Sequence, residues 1–183
     1  ALPILGSVTI NGTVKQGEEL TVSNNITDED GIGTISYQWK RDNNNIDGAT
    51  QNKYTLTQSD VGKKISVTAS YTDGQGTSES VTSSQTDTVA NVNDAPVGSV
   101  TINGTAKQGE ELTASNNITD EDGMGTISYQ WKRDNNNIDG ATQNKYTLTQ
   151  SDVGKKISVT ASYTDGQGTS ESVTSSQTDI RSE

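Results

Sequence analysis

Apolar side chains fall at every second position along short stretches of this chain. Val8 and Ile10 alternate with polar neighbours until Asn11-Gly12 turns the chain, and Leu20 and Val22 repeat the pattern. Ile35, Tyr37 and Trp39 follow, with Ser36 and Gln38 facing outward, and Tyr54 and Leu56 mark another stretch. Ile65, Val67, Ala69 and Tyr71 give the longest run, and Val81 lies in the last. Between them stand Asp28-Glu29-Asp30-Gly31, Asp42-Asn43-Asn44-Asn45, Asp47-Gly48 and Asp73-Gly74-Gln75-Gly76, all rich in turn-forming residues. Strict alternation broken by turn signals every 8–12 residues or so predicts an antiparallel β-sandwich. No stretch sustains a period of 3.6 residues, so no helix of any length is expected.

The pattern then starts again. Gly6-Ser7-Val8-Thr9-Ile10 returns as Gly98-Ser99-Val100-Thr101-Ile102, 92 residues later. Over the 82 positions from Gly6 to Asp87, only three differ: Val14 against Ala106, Val22 against Ala114, and Ile32 against Met124. The expected division is a first domain over 1–90, a linker over 91–97 and a second domain over 98–183. Ala1 to Leu5 and Ile180 to Glu183 break the repeat. Units this small bury only a modest core.

Composition narrows the chemistry. Hydrophobic residues make up 27% of the chain, Phe is absent, and each repeat has one Trp and three Tyr. Without Cys there is no disulfide, and a small domain then needs another source of rigidity, such as a metal ion. Without His the commonest general base and most zinc sites are gone. The formal net charge of −11 disfavours nucleic acid and anionic membranes as partners. No signal peptide and no apolar run near the length of a membrane span is present, so membrane insertion is not expected.

Ile35-Ser36-Tyr37-Gln38-Trp39-Lys40-Arg41-Asp42 resembles strand C of immunoglobulin-like domains, with its buried Trp. Tyr54-Thr55-Leu56 through Ser59-Asp60-Val61-Gly62 looks like their E strand and the turn after it. Two features depart from true immunoglobulins: there is no disulfide, and Lys64 stands where a corner Tyr belongs. The whole repeat, with Asn91-Val92-Asn93-Asp94-Ala95-Pro96, is similar to the tandem immunoglobulin-like and cadherin-like repeats of giant bacterial adhesins of the repeats-in-toxin type. In that family such repeats extend a binding tip away from the cell, with calcium stiffening the junctions. The resemblance therefore implies a secreted protein of the bacterial cell surface, in the setting of cell adhesion and biofilm. The linker is also similar to the calcium linker of cadherins, although Asn91 replaces an Asp and one Asn is missing.

An immunoglobulin-like topology puts the B–C and F–G loops where the chain enters a domain. That implies calcium on Asn93, Asp94, Asp120, Asp122 and Asp165, with Glu18 and Asp60 of the first repeat approaching from the other side. Asp28, Asp30 and Asp73 occupy the same loops in the first repeat, but Ala1-Leu2-Pro3 replaces the acidic linker there, so that site is expected to be incomplete. Calcium takes about six to eight oxygen ligands, and clustered carboxylates supply them. Read as residues alone, the same acids also suit ordinary metal-free turns.

The function expected is structural: spacer repeats, each adding roughly 40 Å of reach, taking strands of about seven to ten residues. Near-identical copies suit an array that needs only length. The partners are then neighbouring repeats, in a monomer. The rival is a cadherin-like module binding carbohydrate or another cell, with polysaccharide as its ligand, which calls for exposed aromatics or a free edge strand. Mid-strand Trp39 and Trp131 read as core rather than as sugar platforms. Asp28 and Asp30 have the chemistry of glycoside hydrolysis, yet no apolar pocket to raise one pKa is evident, so no enzyme is expected.

Overall fold

The computed structural model describes residues 2–181. The chain divides between Val92 and Asn93 into two compact units. In the first, β1 (Val8–Asn11), β2 (Glu19–Asn24) and β5 (Lys53–Thr55) form one sheet in the order β1-β2-β5. The facing sheet has the order β4-β3-β6-β7, from β3 (Ser36–Arg41), β4 (Asn44–Asn45), β6 (Ile65–Thr72) and β7 (Ser78–Thr82). The second unit repeats this with β8 (Val100–Asn103), β9 (Glu111–Asn116) and β12 (Lys145–Thr147) in one sheet. Its other sheet holds β10 (Ser128–Arg133), β11 (Asn136–Asn137), β13 (Lys156–Thr164), β14 (Ser170–Thr174) and β15 (Thr178–Asp179). All these strand pairs are antiparallel. The chain is a tandem of two immunoglobulin-like β-sandwiches.

The alternation decides which side chains meet inside. Val8, Leu20 and Leu56 from one sheet pack on Trp39, Ile65, Val67, Ala69 and Tyr71 from the other. Trp39 is fully buried, its ring centroid lies 5.8 Å from that of Tyr54, and its Nε1–H donates to the Gln51 carbonyl at 2.8 Å. Trp131, Tyr146 and Gln143 repeat the arrangement. Gln38, although on the outward side of β3, is half-buried: its amide donates to the Trp39 and Ile46 carbonyls, both at 2.8 Å. The β3–β4 hairpin turns on Asp42 and Asn43, at φ 45° and 68°. Those two positive values suit a type I′ turn, which Asp and Asn tolerate better than most residues.

The terminal segments of each unit carry a feature that alternation does not show. Lys15 pairs with Ala90 in parallel, and Val61 pairs in parallel with Val89. In the second unit Lys107 pairs in parallel with Arg181. The partners here are displaced by one residue relative to the sequence repeat. Val89 donates to Lys63 and is buried, and Ile180 does the same at Lys155. A stretch that breaks the repeat as sequence thus restores it in space, because one apolar residue must close that corner of the core. Of the three differing positions, Val14, Ala106 and Val22 border the cores and Ala114 is buried within the second one, while Ile32 and Met124 are exposed.

Candidate cation-binding carboxylate site

In each unit two loops meet at the end where the chain enters. Asp28 begins the β2–β3 loop and folds it locally: its Oδ1 accepts the Asp30 N–H at 2.9 Å. Asp73 closes the β6–β7 hairpin, its Oδ1 accepting from the N–H groups of Gln75 at 2.9 Å and Thr77 at 2.8 Å. The loops are joined by Gly74, whose N–H donates to the Asp30 carbonyl at 2.8 Å. A Cβ on Gly74 would sit 2.5 Å from that carbonyl oxygen, so only glycine permits the approach. The Tyr71 hydroxyl donates to Asp28 Oδ2 at 2.7 Å. Burial and this carboxylate raise the Tyr71 pKa, which keeps the hydroxyl a donor.

The second unit is built alike. Asp120 Oδ1 accepts from Asp122, and Asp120 Oδ2 accepts the Tyr163 hydroxyl at 2.6 Å. Asp165 Oδ1 accepts from Gln167 and Thr169, both at 2.8 Å. The Tyr163 pKa is raised by burial and by Asp120. The entering segment docks on these loops. Asp94 N–H donates to Asp122 Oδ2 at 2.7 Å, and the Asn93 amide donates to Glu171 Oε1 at 2.7 Å. In the first unit the Leu2 N–H makes the equivalent bond to Asp30 Oδ2 at 2.9 Å. In both units a backbone N–H of the entering segment thus bonds to the second Asp of the loop. The unit boundary falls inside the predicted linker 91–97, so that Asn93 and Asp94 go with the second unit, and Ala1 lies outside the described residues.

Carboxylate oxygens converge in both units. Those of Asp28, Asp30 and Asp73 lie within 4.8 Å of one another, as do those of Asp120, Asp165 and Glu171. The first repeat thus has a convergent group of its own. Glu171 was missed on the sequence. As the second residue of β14 it reads in the sequence as an exposed polar position, and its place becomes visible only when Tyr163 pairs with it across β13 and β14.

Glu18 and Asp60 stand elsewhere. Glu18 is exposed in the turn before β2, where its N–H donates to the Lys15 carbonyl. Asp60 is fully buried inside its own domain. Its Oδ1 accepts from Arg41 Nε at 2.6 Å, and its Oδ2 accepts from the Tyr54 hydroxyl at 2.7 Å and from the Thr57 N–H at 2.8 Å. With both oxygens engaged this way, Asp60 is a structural anchor rather than a surface ligand. Two signals could have shown it. Parity places Arg41 on the inner face with Tyr37 and Trp39, where a charge needs a partner, and Thr57-Gln58-Ser59-Asp60 has the spacing of a capping box.

The outer face of β3, β6 and β7 forms a shallow hollow of about 430 Å³, hydroxyl-lined by Ser36, Ser70 and Ser80 among others. Tyr71 borders it but is only 4% exposed, so the hollow offers no aromatic platform.

No family model matches the chain. One curated protein resembles it in sequence. The "Highly immunogenic outer capsid protein" of Enterobacteria phage T4 is 31% identical over 137 residues, which cover 72% of this chain. The chain spans about a third of that relative, 36% of its length. Solved structures with similar outlines include three N-terminal domains of the bacteriophage RB49 Highly Immunogenic Outer Capsid protein, at 17% identity and TM-score 0.34. That match covers 98% of this chain and 59% of that one. The fibronectin(III)-like modules of Clostridium thermocellum CbhA match at 18% identity and TM-score 0.31, covering 96% and 94% of the two chains. At such TM-scores the fold rests on the sheets described above.

Proposed function

We propose that the two repeats are extender modules of a longer, surface-exposed protein, built to bear tension between their ends. One observation carries this reading. In each domain the segment near the N-terminus pairs in parallel with the segment near the C-terminus, Lys15 with Ala90 and Lys107 with Arg181. Gln16 N–H donates to the Ala90 carbonyl at 2.9 Å, and Ala90 N–H donates to the Val14 carbonyl at 3.1 Å. Pulling on the ends of such a pair slides one strand along the other, so these bonds are loaded together rather than one after another. Duplication fits the same role, because length is gained simply by copying.

Exposure is supported by the polar composition and by the capsid-surface relative. The carrier we propose is a bacterial surface adhesin, as the sequence resemblance implies; an outer capsid protein is the carrier that the phage relative favours. Either one uses the modules in the same way. The rival reading, carbohydrate binding, is tested by incubating the full chain with insoluble polysaccharides of bacterial and plant origin. The extender reading expects the protein in the flow-through. Specific retention, released by soluble oligosaccharide, would overturn it.

A further inference from the structure

One carboxylate oxygen in each repeat is left over once the backbone contacts of its loop are made. Asp165 is 5% exposed, and its Oδ2 is buried and meets no hydrogen-bond donor. Asp73 Oδ2 in the first repeat is in the same position. An ionised oxygen held out of water without a partner is unfavourable. Two further carboxylates converge on the same residue, which adds like-charge repulsion. The turn explains Oδ1, which accepts two backbone N–H groups, but it gives no reason for burying Oδ2.

We propose that each domain binds its own divalent cation, held by Asp28, Asp30 and Asp73 in the first repeat and by Asp120, Asp165 and Glu171 in the second. The chemistry points to calcium. The donors are hard oxygens with no His or Cys among them, which suits calcium or magnesium rather than zinc or copper. Carboxylate oxygens within 4.8 Å of one another suit a shared cation. Calcium, which accepts about six to eight oxygens in irregular geometry, suits a set of loop carboxylates and carbonyls better than magnesium, which demands a near-ideal octahedron and keeps several waters. Backbone carbonyls and water complete the coordination. The ion lies within one domain, so each repeat carries it whatever precedes or follows. It clasps the β2–β3 loop to the β6–β7 hairpin at the end where the chain enters. The inference goes beyond the extender reading, and neither depends on the other.

Terbium is a suitable probe, because the Tyr71 and Tyr163 hydroxyls touch Asp28 and Asp120 and would sensitise its luminescence. On the full chain we expect saturable luminescence, displaced by calcium, with one ion per repeat. Asp73→Asn and Asp165→Asn keep an oxygen for the two turn N–H groups and replace the left-over oxygen by an amide NH2. Each substitution should remove half of the signal and the pair all of it. Calcium should raise the melting midpoint of the parent by about 5 °C over that in chelator, and leave the double variant unmoved. Three results would overturn the proposal: melts identical with and without calcium, binding that survives in the double variant, or variants that melt higher than the parent in both buffers. The last would mean that the acids merely repel one another.

Discussion

Removing Asp60 leaves four donors without their acceptor in a fully buried place: Arg41 Nε, the Tyr54 hydroxyl, the Thr57 N–H and the Thr57 hydroxyl. Taking one partner from a buried ion pair costs about 3–5 kcal/mol. The Arg41 side chain is 29% exposed, so water recovers part of its charge and the lower end applies, about 3 kcal/mol for Asp60→Ala. In a domain of this size each kcal/mol moves the midpoint by roughly 4–8 °C, so a drop of about 12–24 °C is expected. Arg41→Ala should cost less, about 2 kcal/mol, because three neutral donors still hold Asp60. Differential scanning calorimetry of the full chain reads this directly, since the second domain, with its own core, is an internal reference. Asp60→Ala should split the endotherm into one transition near the parental temperature and one well below it. Asp152→Ala should do the same, and the double variant should restore a single, lowered transition. A shift under about 3 °C would refute the anchoring role and return Asp60 to the pool of candidate surface ligands.

Three further outcomes follow from the same structure. Burial and nearby carboxylates raise the pKa values of Tyr54, Tyr71, Tyr146 and Tyr163, so these hydroxyls stay protonated in the folded chain. Stability should hold up to about pH 10, where the unfolded tyrosines ionise, and fall above it; absorbance at 295 nm should show these four titrating together with unfolding. Burial opposes the charge of Asp152, but the Thr149 N–H, Tyr146 and Arg133 outweigh it and hold its carboxyl below the usual range. Its contribution is therefore present above the ordinary value of 3.8 and is lost as pH falls below it, which acid unfolding followed by circular dichroism would detect. Ala114→Val, restoring the residue of the first repeat in the core, should stabilise the second domain by about 1 kcal/mol, measured by urea denaturation.

Fold class was legible because period-two alternation is a local property, and each alternating run became a strand with the expected residues inside. The repeat made the second domain a copy of the first in every main respect. The loop acids were legible as a group because Asp and Gly mark loops, and an immunoglobulin-like order of strands brings those loops to one end. Pairing was not legible. Asp60 looked like one more loop acid, since only the fold shows that Arg41 and Tyr54 converge on it across two sheets. Glu171 was hidden for the same reason, being placed by cross-strand register rather than by a loop motif. Ile180 looked like the end of the repeat, because a one-residue displacement is invisible until its neighbours in space are known.

The extender account stands or falls on mechanical strength. The full chain, tethered at both ends and pulled in a single-molecule force experiment, should show two separate unfolding events. Each should release about 300 Å of contour, as expected for some ninety residues at roughly 3.3–3.6 Å apiece. Gln16→Pro removes the donor to Ala90 from the parallel pair and should markedly lower the force of one event while the other keeps its parental value. Two events at a low force that the proline leaves unchanged would contradict the account, because the terminal pairs would then carry no load.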